Sequence, residues 1–396
     1  MRLCEKTIEP DREGNRQSWR AALDLEKGYG SMNAQPGLQN DHVDLSSGPS
    51  LKEDWQGLID DDALLSSLTI PGTHDSAAFT HPWPFVATQS MNISQQLHAG
   101  IRYFDLRCGI RNDVAEMVHG PSLLGLQLQD VLDSMFKYLG SHPTEGLIVQ
   151  IKEDREPEKS TVHFSQVIWQ NISSKPDRWR TANTTPTMGE LRGKIQLFRR
   201  YQGPRLFAFG IDVTQWQDNP ELPFTIFTTH DVQITIQDHY SFSDPKPLPS
   251  LIISKGGDVQ RLLDRAPQDA DDSHWYMNFT SAFEFNLWYQ LTPRTIALGG
   301  YYGFRWEEGM NVRLRNYLRI HSGKHRFGIV AMDFPETGTD DLITTLIQSN
   351  FKYRVRYWPL LLYVALLCIW ITMFAIREAR RDAAEIRIAD YLFGPV

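Results

Sequence analysis

The stretch Leu68-Thr69-Ile70-Pro71-Gly72-Thr73-His74-Asp75-Ser76 begins as a short apolar strand and ends in polar, chemically active side chains. Similar runs recur along the chain, each dominated by apolar or β-branched residues and each leading into a polar segment. Runs of this kind are typical of short strands that are covered on both faces. The predicted strands are residues 68–71, 102–106, 116–118, 146–151, 194–198, 232–236, 275–279 and 327–332.

Helical segments separate these strands. The clearest one follows the third strand, where a single apolar stripe recurs at three- and four-residue steps: Leu128, Val131, Leu132, Met135, Phe136 and Leu139. Further helices are predicted at residues 308–320 and 340–348, the second behind a Thr339 cap. Eight strands alternating with helices predict an α/β fold, a distorted (β/α)8 barrel of the TIM type, with an open doubly wound sheet as the alternative.

The barrel is predicted to fill residues 51–350 of the 396-residue chain. Residues 1–50 are polar and lack the apolar core of a secretory signal, so we expect a disordered arm there. Residues 377–396 are charged and are expected to form a short tail. The cysteines are Cys4, Cys108 and Cys368; they show no metal-binding spacing, and we expect no disulfide among them.

An uncharged apolar run, WPLLLYVALLCIWITMFAI, occupies residues 358–376. Its length suits a hydrocarbon core of roughly 30 Å, so we predict one transmembrane helix there, with a buried core helix as the alternative. Basic residues flank both ends, and the positive-inside rule therefore gives no orientation. A late single span without a signal favours a barrel in the cytosol, whereas four sequons favour the lumenal or extracytoplasmic side: Asn92, Asn171, Asn183 and Asn278.

The charge of the chain limits its partners. A formal net charge of -8 argues against a broad nucleic-acid surface, which would need an excess of basic residues. Any recognition of phosphate must therefore come from a few well-placed cations. No obligate protein partner is evident from the sequence.

Ionisable residues collect at the carboxyl ends of the predicted strands. In a (β/α) barrel these ends lie on one face, so we expect their side chains to share a pocket. His74 and Asp75 follow the first strand. The other candidates of this kind are Asp105, Arg107, His119, Lys152, Arg200, Asp238, Tyr240 and Asp333.

Two histidines, an arginine and several carboxylates suit the cleavage of a phosphodiester by a neighbouring hydroxyl group. One histidine would remove the proton of that hydroxyl, and the other would protonate the leaving oxygen. An arginine would stabilise the negative charge of the phosphorane-like transition state, and the carboxylates would orient the imidazoles. A metal site formed by His74, His119, Asp75 and Asp105 is the main rival; the permanent charge of Arg107 inside that cluster argues against it.

The strand-end motifs resemble a known family. The segment from Leu68 to Ser76, with Phe104-Asp105-Leu106-Arg107 and Val118-His119-Gly120-Pro121, is similar to the X-type catalytic region of the bacterial-type phosphatidylinositol-specific phospholipases C. The resemblance covers nearly all of residues 54–350. It implies the distorted barrel of the PLC-like phosphodiesterases and cleavage of phosphatidylinositol to diacylglycerol and inositol 1,2-cyclic phosphate.

The resemblance also implies roles for the catalytic residues. His74 would be the general base that acts on the inositol 2-hydroxyl, oriented by Asp333. His119 with Asp75 would be the general acid that protonates the diacylglycerol oxygen. Arg107 would bind the phosphate. The partner would be phosphatidylinositol in a bilayer.

By the same resemblance, Lys152, Arg200, Asp238 and Tyr240 would hold the inositol ring, with Asp105 in support. Calcium-dependent relatives place a carboxylate at the position of Arg107, so we expect no metal and no other cofactor. Two alternatives stay open: a phosphodiesterase for another headgroup, such as a glycosylated inositol lipid, and a membrane-bound inositol-lipid-binding protein without turnover. Unphosphorylated phosphatidylinositol is expected to be preferred over polyphosphorylated inositides.

Overall fold

The computed structural model describes residues 52–204, 206, 209–321, 325–337, 341–351 and 365–381. The predicted amino-terminal arm at residues 1–50, the Thr339 cap and most of the charged tail lie outside these ranges. The chain divides into two units, Met1–Asn350 and Phe351–Val396. The first unit contains every β-strand found among the described residues.

The strands of the first unit are, in chain order, β1 (Thr69–Thr73), β2 (Tyr103–Arg111), β3 (Val114–His119), β4 (Ser122–Gln127), β5 (Leu147–Glu158), β6 (Trp179–Arg180), β7 (Ile195–Arg200), β8 (Ile211–Asp212), β9 (Phe224–Phe227), β10 (Gln233–Gln237), β11 (Trp275–Phe279), β12 (Glu284–Phe285), β13 (Gln290–Leu291), β14 (Gly299–Tyr302), β15 (Arg305–Glu308) and β16 (Gly328–Met332). The main sheet has the order β6-β7-β5-β2-β1-β16-β11-β10-β9. It curls into part of a barrel.

The helices of this unit are α1 (Ile93–His98), α2 (Leu128–Ser141), α3 (Phe164–Ser173), α4 (Met188–Leu191), α5 (Leu248–Arg265), α6 (Pro293–Leu298), α7 (Met310–Ile320) and α8 (Leu342–Gln348). The apolar stripe predicted after the third strand is the buried face of α2. The two later predicted helices correspond to α7 and α8. Both begin two residues later than predicted, α7 because β15 extends to Glu308.

Seven of the eight predicted strands pair in parallel in the main sheet. The third, at residues 116–118, was wrongly placed in the barrel. It lies in β3, which pairs antiparallel with both β2 and β4. The turn at Asn112 and Asp113, both with positive φ, sends the chain straight back along β2 instead of through a crossover helix.

The expected closure of the barrel is not found among the described strands. One edge of the curled sheet is formed by β6 and β8, which both pair with β7, and the other edge is formed by β9. Strand β9 pairs antiparallel with β10 and has no ladder to β8. We call the boundary between β8 and β9 the seam.

Close packing fixes the position of β1, the strand that carries the deciding sequence motif. All five of its residues are buried between β16 and β2. A β-carbon placed on Gly72 would lie 2.7 Å from Cδ1 of Tyr103, so only glycine allows this approach of β1 to β2. The side chain of Asn350 pairs with both the N–H and the C=O of Thr69, each at 2.8 Å. The strand is therefore held at both edges and at its start.

The second unit contains one helix among its described residues, at 365–381. The predicted span at residues 358–376 falls partly on this helix, and its residues 358–364 lie outside the described ranges. Within the described parts of the chain, no helix is both long and apolar enough to cross a membrane.

Candidate active site

The carboxyl ends of the parallel strands surround one cleft that is open to solvent. The ionisable and phenolic residues that line it are His74, Arg107, His119, Lys152, Asp154, Arg200, Asp218, Asp238, Tyr240 and Asp333. Of the ten site residues predicted from the sequence, eight line the cleft, and Asp75 and Asp105 lie directly beneath it.

His74 is held by the strand next to its own. Strand β1 ends at Thr73, and β16 runs parallel to it and ends just before Asp333. His74 Nδ1 donates a hydrogen bond to Asp333 Oδ1 at 2.9 Å, which leaves Nε2 as the atom that can accept a proton. Burial lowers the pKa of His74, but the charge and hydrogen bond of Asp333 together with the charge of Asp75 outweigh it, and the net pKa is raised.

His119 lies across the cleft, with its ring centroid 6.5 Å from that of His74. Its Nδ1 donates to the carbonyl oxygen of Val86 at 2.7 Å. Its Nε2 therefore carries a proton only in the cationic form, and that atom lies 3.4 Å from Asp75 Oδ2. A proton on Nε2 would therefore face both the Asp75 carboxylate and the cleft.

Asp75 connects the two histidines and Arg107. Its Oδ2 lies 3.5 Å from His74 Nε2 and 2.9 Å from a terminal nitrogen of Arg107. The residue adopts a positive φ of 43°, a backbone conformation that Asp tolerates better than most residues. Burial raises the pKa of Asp75 and its cationic neighbours lower it; the net pKa is raised.

Arg107 joins the carboxylates of Asp75 and Asp105. Its other terminal nitrogen lies 3.0 Å from Asp105 Oδ2, and its Nε lies 3.2 Å from the same oxygen. Burial alone would raise the pKa of Asp105, but Arg107 and other nearby cations lower it to about 2. The guanidinium group thus fills the space between the two carboxylates that the rival metal site would use, and the donor set does not fit a metal ion.

Lys152 and Asp154 alternate along β5 and point the same way, into the cleft, where they form an ion pair. Burial raises the pKa of Asp154, but Lys152 and Arg107 outweigh it, and the net pKa falls well below its usual range. The sequence analysis missed Asp154. The period-two spacing from Lys152 could have revealed it.

The segment between β8 and β9 supplies the other residues that were missed. Trp216 Nε1 donates to Asp238 Oδ2 at 2.8 Å, and the Arg200 guanidinium lies 3.9 Å above the Trp216 ring. Asp218 accepts a hydrogen bond from the Tyr240 hydroxyl at 2.9 Å. The segment thus crosses the seam and joins strand ends from its two sides. It has no periodic pattern, so the sequence alone gave no signal for it.

The comparisons with known proteins agree with this geometry. Residues 68–201 match the family model of the phosphatidylinositol-specific phospholipase C X domain. The chain is 33% identical over 307 residues to the 1-phosphatidylinositol phosphodiesterase of Listeria monocytogenes, covering 75% of this chain and 84% of that protein. It is 27% identical over 322 residues to the protein of the same name from Staphylococcus aureus strain Newman, covering 77% of this chain and 96% of that protein.

Structural similarity extends over the same region. A solved structure of the phosphatidylinositol-specific phospholipase C of S. aureus, from work on its membrane binding, matches with a TM-score of 0.63 at 25% identity. The match covers 76% of this chain and 97% of that one. The X-domain match, the Listeria relative and the shared fold together show that this chain belongs to the phosphatidylinositol-specific phospholipase C family.

Proposed function

We propose that the chain is a phospholipase C that cleaves phosphatidylinositol to diacylglycerol and inositol 1,2-cyclic phosphate. The observation that carries the proposal is the convergence of both histidine Nε2 atoms and the Arg107 guanidinium on one carboxylate oxygen of Asp75. This is the set of groups that an intramolecular attack on a phosphodiester requires: a base, an acid and a fixed cation.

In the first step His74 acts as the general base. Its Nε2 takes the proton of the inositol 2-hydroxyl, and the freed oxygen attacks phosphorus. Asp333 accepts the Nδ1 hydrogen bond and stabilises the imidazolium that forms. The raised pKa of His74 makes it a stronger base at the cost of a larger protonated fraction at neutral pH.

Arg107 and His119 complete the step. Arg107 binds the phosphoryl oxygens as negative charge accumulates on them, and its position is fixed by Asp75 and Asp105. His119 donates its Nε2 proton to the departing glycerol oxygen, so the phosphorus–oxygen bond breaks as diacylglycerol leaves. Slow hydrolysis of the cyclic phosphate follows with the two histidines in exchanged roles.

The remaining residues suit the inositol ring. Lys152 and Arg200 can donate to ring hydroxyls, Asp238 can accept from them, and Tyr240 offers an aromatic face. Asp154 adds a second acceptor next to Lys152. This mixture of paired charges favours neutral hydroxyls over additional phosphates, which supports unphosphorylated phosphatidylinositol as the substrate.

We propose that the reaction needs no metal, because the Arg107 guanidinium already supplies positive charge between Asp75 and Asp105. We also propose, from sequence alone, that residues 358–376 form a single transmembrane helix that keeps the enzyme at its lipid substrate. We further propose that the catalytic unit lies on the cytosolic side of the membrane.

The test is the release of diacylglycerol from phosphatidylinositol vesicles, with chelator present, by the wild type, His74→Ala and a matched control. The control is His321→Ala, because His321 is exposed at the end of α7, where its Nδ1 bonds to the carbonyl of Tyr317. We expect chelator-resistant release by the wild type and the control, and a loss of at least about a thousandfold in His74→Ala.

Other outcomes separate the alternatives. Activity restored only by calcium would refute the metal-free mechanism, and activity retained by His74→Ala would refute the assignment of the base. Release from a glycosylated inositol lipid alone would identify the other headgroup. Binding of inositol lipid without release of diacylglycerol would mean a binding protein without turnover.

A further inference from the structure

The hairpin formed by β14 and β15 carries an aromatic surface that is exposed in the part of the chain that the structure describes. Its strands pair only with each other, from Gly299 opposite Glu308 to Tyr302 opposite Arg305. Its large apolar side chains are exposed: Tyr301 by 75%, Tyr302 by 49%, Trp306 by 51% and Phe304 completely. We call residues 299–308 the aromatic hairpin.

The turn of this hairpin is built with a phenylalanine at its tip. Gly303, with a φ of 62°, and Phe304 form a two-residue loop, in which glycine supplies the positive φ. Such loops usually carry small polar residues. The turn does not require a phenylalanine at position 304, and exposure of the phenyl ring to water is unfavourable. A role outside the folded unit is therefore the better explanation for it.

Both ends of the aromatic hairpin are fixed beside the cleft. Helix α6, which leads into it, begins at Pro293, a residue that lines the cleft. Helix α7, which follows it, carries Asn311, whose amide donates to the backbone oxygens of Asp333 and Phe334 at 3.0 and 2.9 Å. The base is tightly packed, since a β-carbon on Gly309 would lie 2.3 Å from Gly299 N. From this base the hairpin reaches roughly 15 Å.

A second pair of exposed apolar residues belongs to the neighbouring segment. Leu287 and Trp288 are exposed by 85% and 76%. They lie between β12 and β13, just after Ser281, Ala282 and Phe283, which line the cleft. Two short hairpins with apolar tips thus start from the same side of the site.

The charges of the aromatic hairpin indicate what kind of surface it meets. Arg305 lies 3.2 Å from Glu307, so the cation near the tip already has an anionic partner. Tyr and Trp side chains combine an apolar ring with a polar group and are enriched where lipid headgroups meet hydrocarbon. The side chains of the aromatic hairpin suit a bilayer interface, to which they would bind through apolar contacts more than through charge.

We propose that the aromatic hairpin inserts its tip, with Phe304 deepest, into the interface of the bilayer that presents the substrate. This inference rests on the proposed function, because a cleft that receives a lipid headgroup must open toward the bilayer. The hairpin then sets the distance and tilt of the cleft relative to the phosphate layer. It acts in positioning, and it touches no reacting atom.

The first experiment measures insertion without turnover. Phe304→Cys is labelled with an environment-sensitive fluorophore in full-length protein that also carries Cys4→Ser and Cys368→Ser; Cys108 is buried and stays unlabelled. The control is Phe227→Cys, also exposed, which lies opposite Gln233 at the start of β10, away from the cleft. With phosphatidylcholine vesicles, with and without phosphatidylinositol, we expect a blue shift at position 304 and none at position 227.

The second experiment compares two substrates. Phe304→Ser should lower hydrolysis of phosphatidylinositol in vesicles about tenfold while leaving hydrolysis of water-soluble inositol 1,2-cyclic phosphate unchanged. Phe304→Leu should retain most of the vesicle activity, and Phe227→Ser should retain all of it. Because the expected contact of Phe304 with the bilayer is apolar, the loss of vesicle activity in Phe304→Ser should persist in high salt.

Three results would overturn the proposal. The first is equal spectral shifts at positions 304 and 227. The others are an equal loss of activity in Phe304→Ser on vesicle and soluble substrates, or a loss of its vesicle activity that disappears in high salt. If the wild type releases no diacylglycerol, that result refutes the proposed function but not the insertion of the hairpin. The spectral comparison still decides whether the hairpin enters a bilayer.

Discussion

At the scale of single residues, the site is organised by Asp75. One of its oxygens faces His74, His119 and Arg107, while its backbone oxygen accepts from the Thr88 hydroxyl at 3.0 Å. The two histidines therefore do not act as separate units, because a proton gained by either changes the field that the other experiences.

The pH dependence of the reaction should report the pair formed by His74 and Asp333. His74 must be neutral to act as a base, and its pKa is raised, so the rate should increase with pH through a value above that of free histidine. Asp333→Asn removes the main influences that raise the pKa of His74 and leaves only the smaller one of Asp75, while burial and Arg107 continue to lower that pKa. The acidic limb of kcat/KM for the cleavage of phosphatidylinositol, the step in which His74 is the base, should therefore move to lower pH.

The same substitution should reduce the plateau rate by roughly a hundredfold or more, since the imidazolium loses its stabilising charge. Asp341→Asn is the control, because Asp341 pairs with Arg319 at the surface. An acidic limb that stays in place in Asp333→Asn would contradict the assignment of His74 as the base.

Sequence reasoning located the site residues that end predicted strands, because one physical rule places all such ends on one face. It missed Asp154 since the charge pattern was read only at the last residues of each strand. It missed Trp216 and Asp218 for a different reason. Their positions depend on contacts to Asp238 and Tyr240, and no local pattern encodes such contacts.

At the scale of elements, the approach of β1 to β2 controls where His74 lies. Gly72→Ala would place a methyl group 2.7 Å from the Tyr103 ring, which is buried and has little room to move. We expect a loss of about 1–3 kcal/mol in the free energy of unfolding and a lower kcat, because His74 is two residues beyond the clash.

The control for this substitution is Gly257→Ala in α5, where an added β-carbon meets nothing within 4 Å. There we expect a gain of about 0.5–1 kcal/mol, since alanine is the better helix former. Thermal unfolding of both variants measures the difference. An unchanged midpoint in Gly72→Ala would show that the strands separate at little cost.

Strands and amphipathic helices were predictable, because burial on one or both faces leaves a local period in the sequence. Closure was not. The number of strands suggested a complete barrel, but the residue 116–118 strand belongs to an antiparallel hairpin, and β8 and β9 do not pair. The pairing of the two edges of a sheet depends on long-range geometry. The spacing of apolar residues along each strand gives no information about it.

At the scale of the whole catalytic unit, Arg102 ties together segments that are distant in sequence. Its fully buried guanidinium lies 2.8 Å from Glu145 and also donates to the Leu97 carbonyl and the Tyr138 hydroxyl. Glu145 in turn accepts from the backbone N–H of Gly57 at 3.2 Å. The segment around Gly57, α1, α2 and the entry to β5 thus share one polar centre.

Arg102→Met should cost about 3–5 kcal/mol of unfolding free energy, because it leaves the Glu145 charge buried without its partner. Arg319→Met is the matched control at an exposed pair with Asp341, and we expect a change of less than about 1 kcal/mol there. Urea unfolding of the full chain measures both. Equal midpoints would mean that Arg102 does not hold these segments together.

The seam affects how readily the catalytic unit opens locally between β8 and β9. Arg200 ends β7, which pairs with β8 on one side of the seam, and Asp238 follows β10, which pairs with β9 on the other side. Trp216 contacts both residues. If Arg200 and Asp238 hold the headgroup together, as we propose, the headgroup connects two sides of the seam that no backbone ladder joins among the described strands. Because ligand that binds only the joined state stabilises that state, the empty enzyme opens here more often than the occupied one. The substrate thus serves as a temporary crosslink, and slower amide exchange around β8 and β9 is its signature.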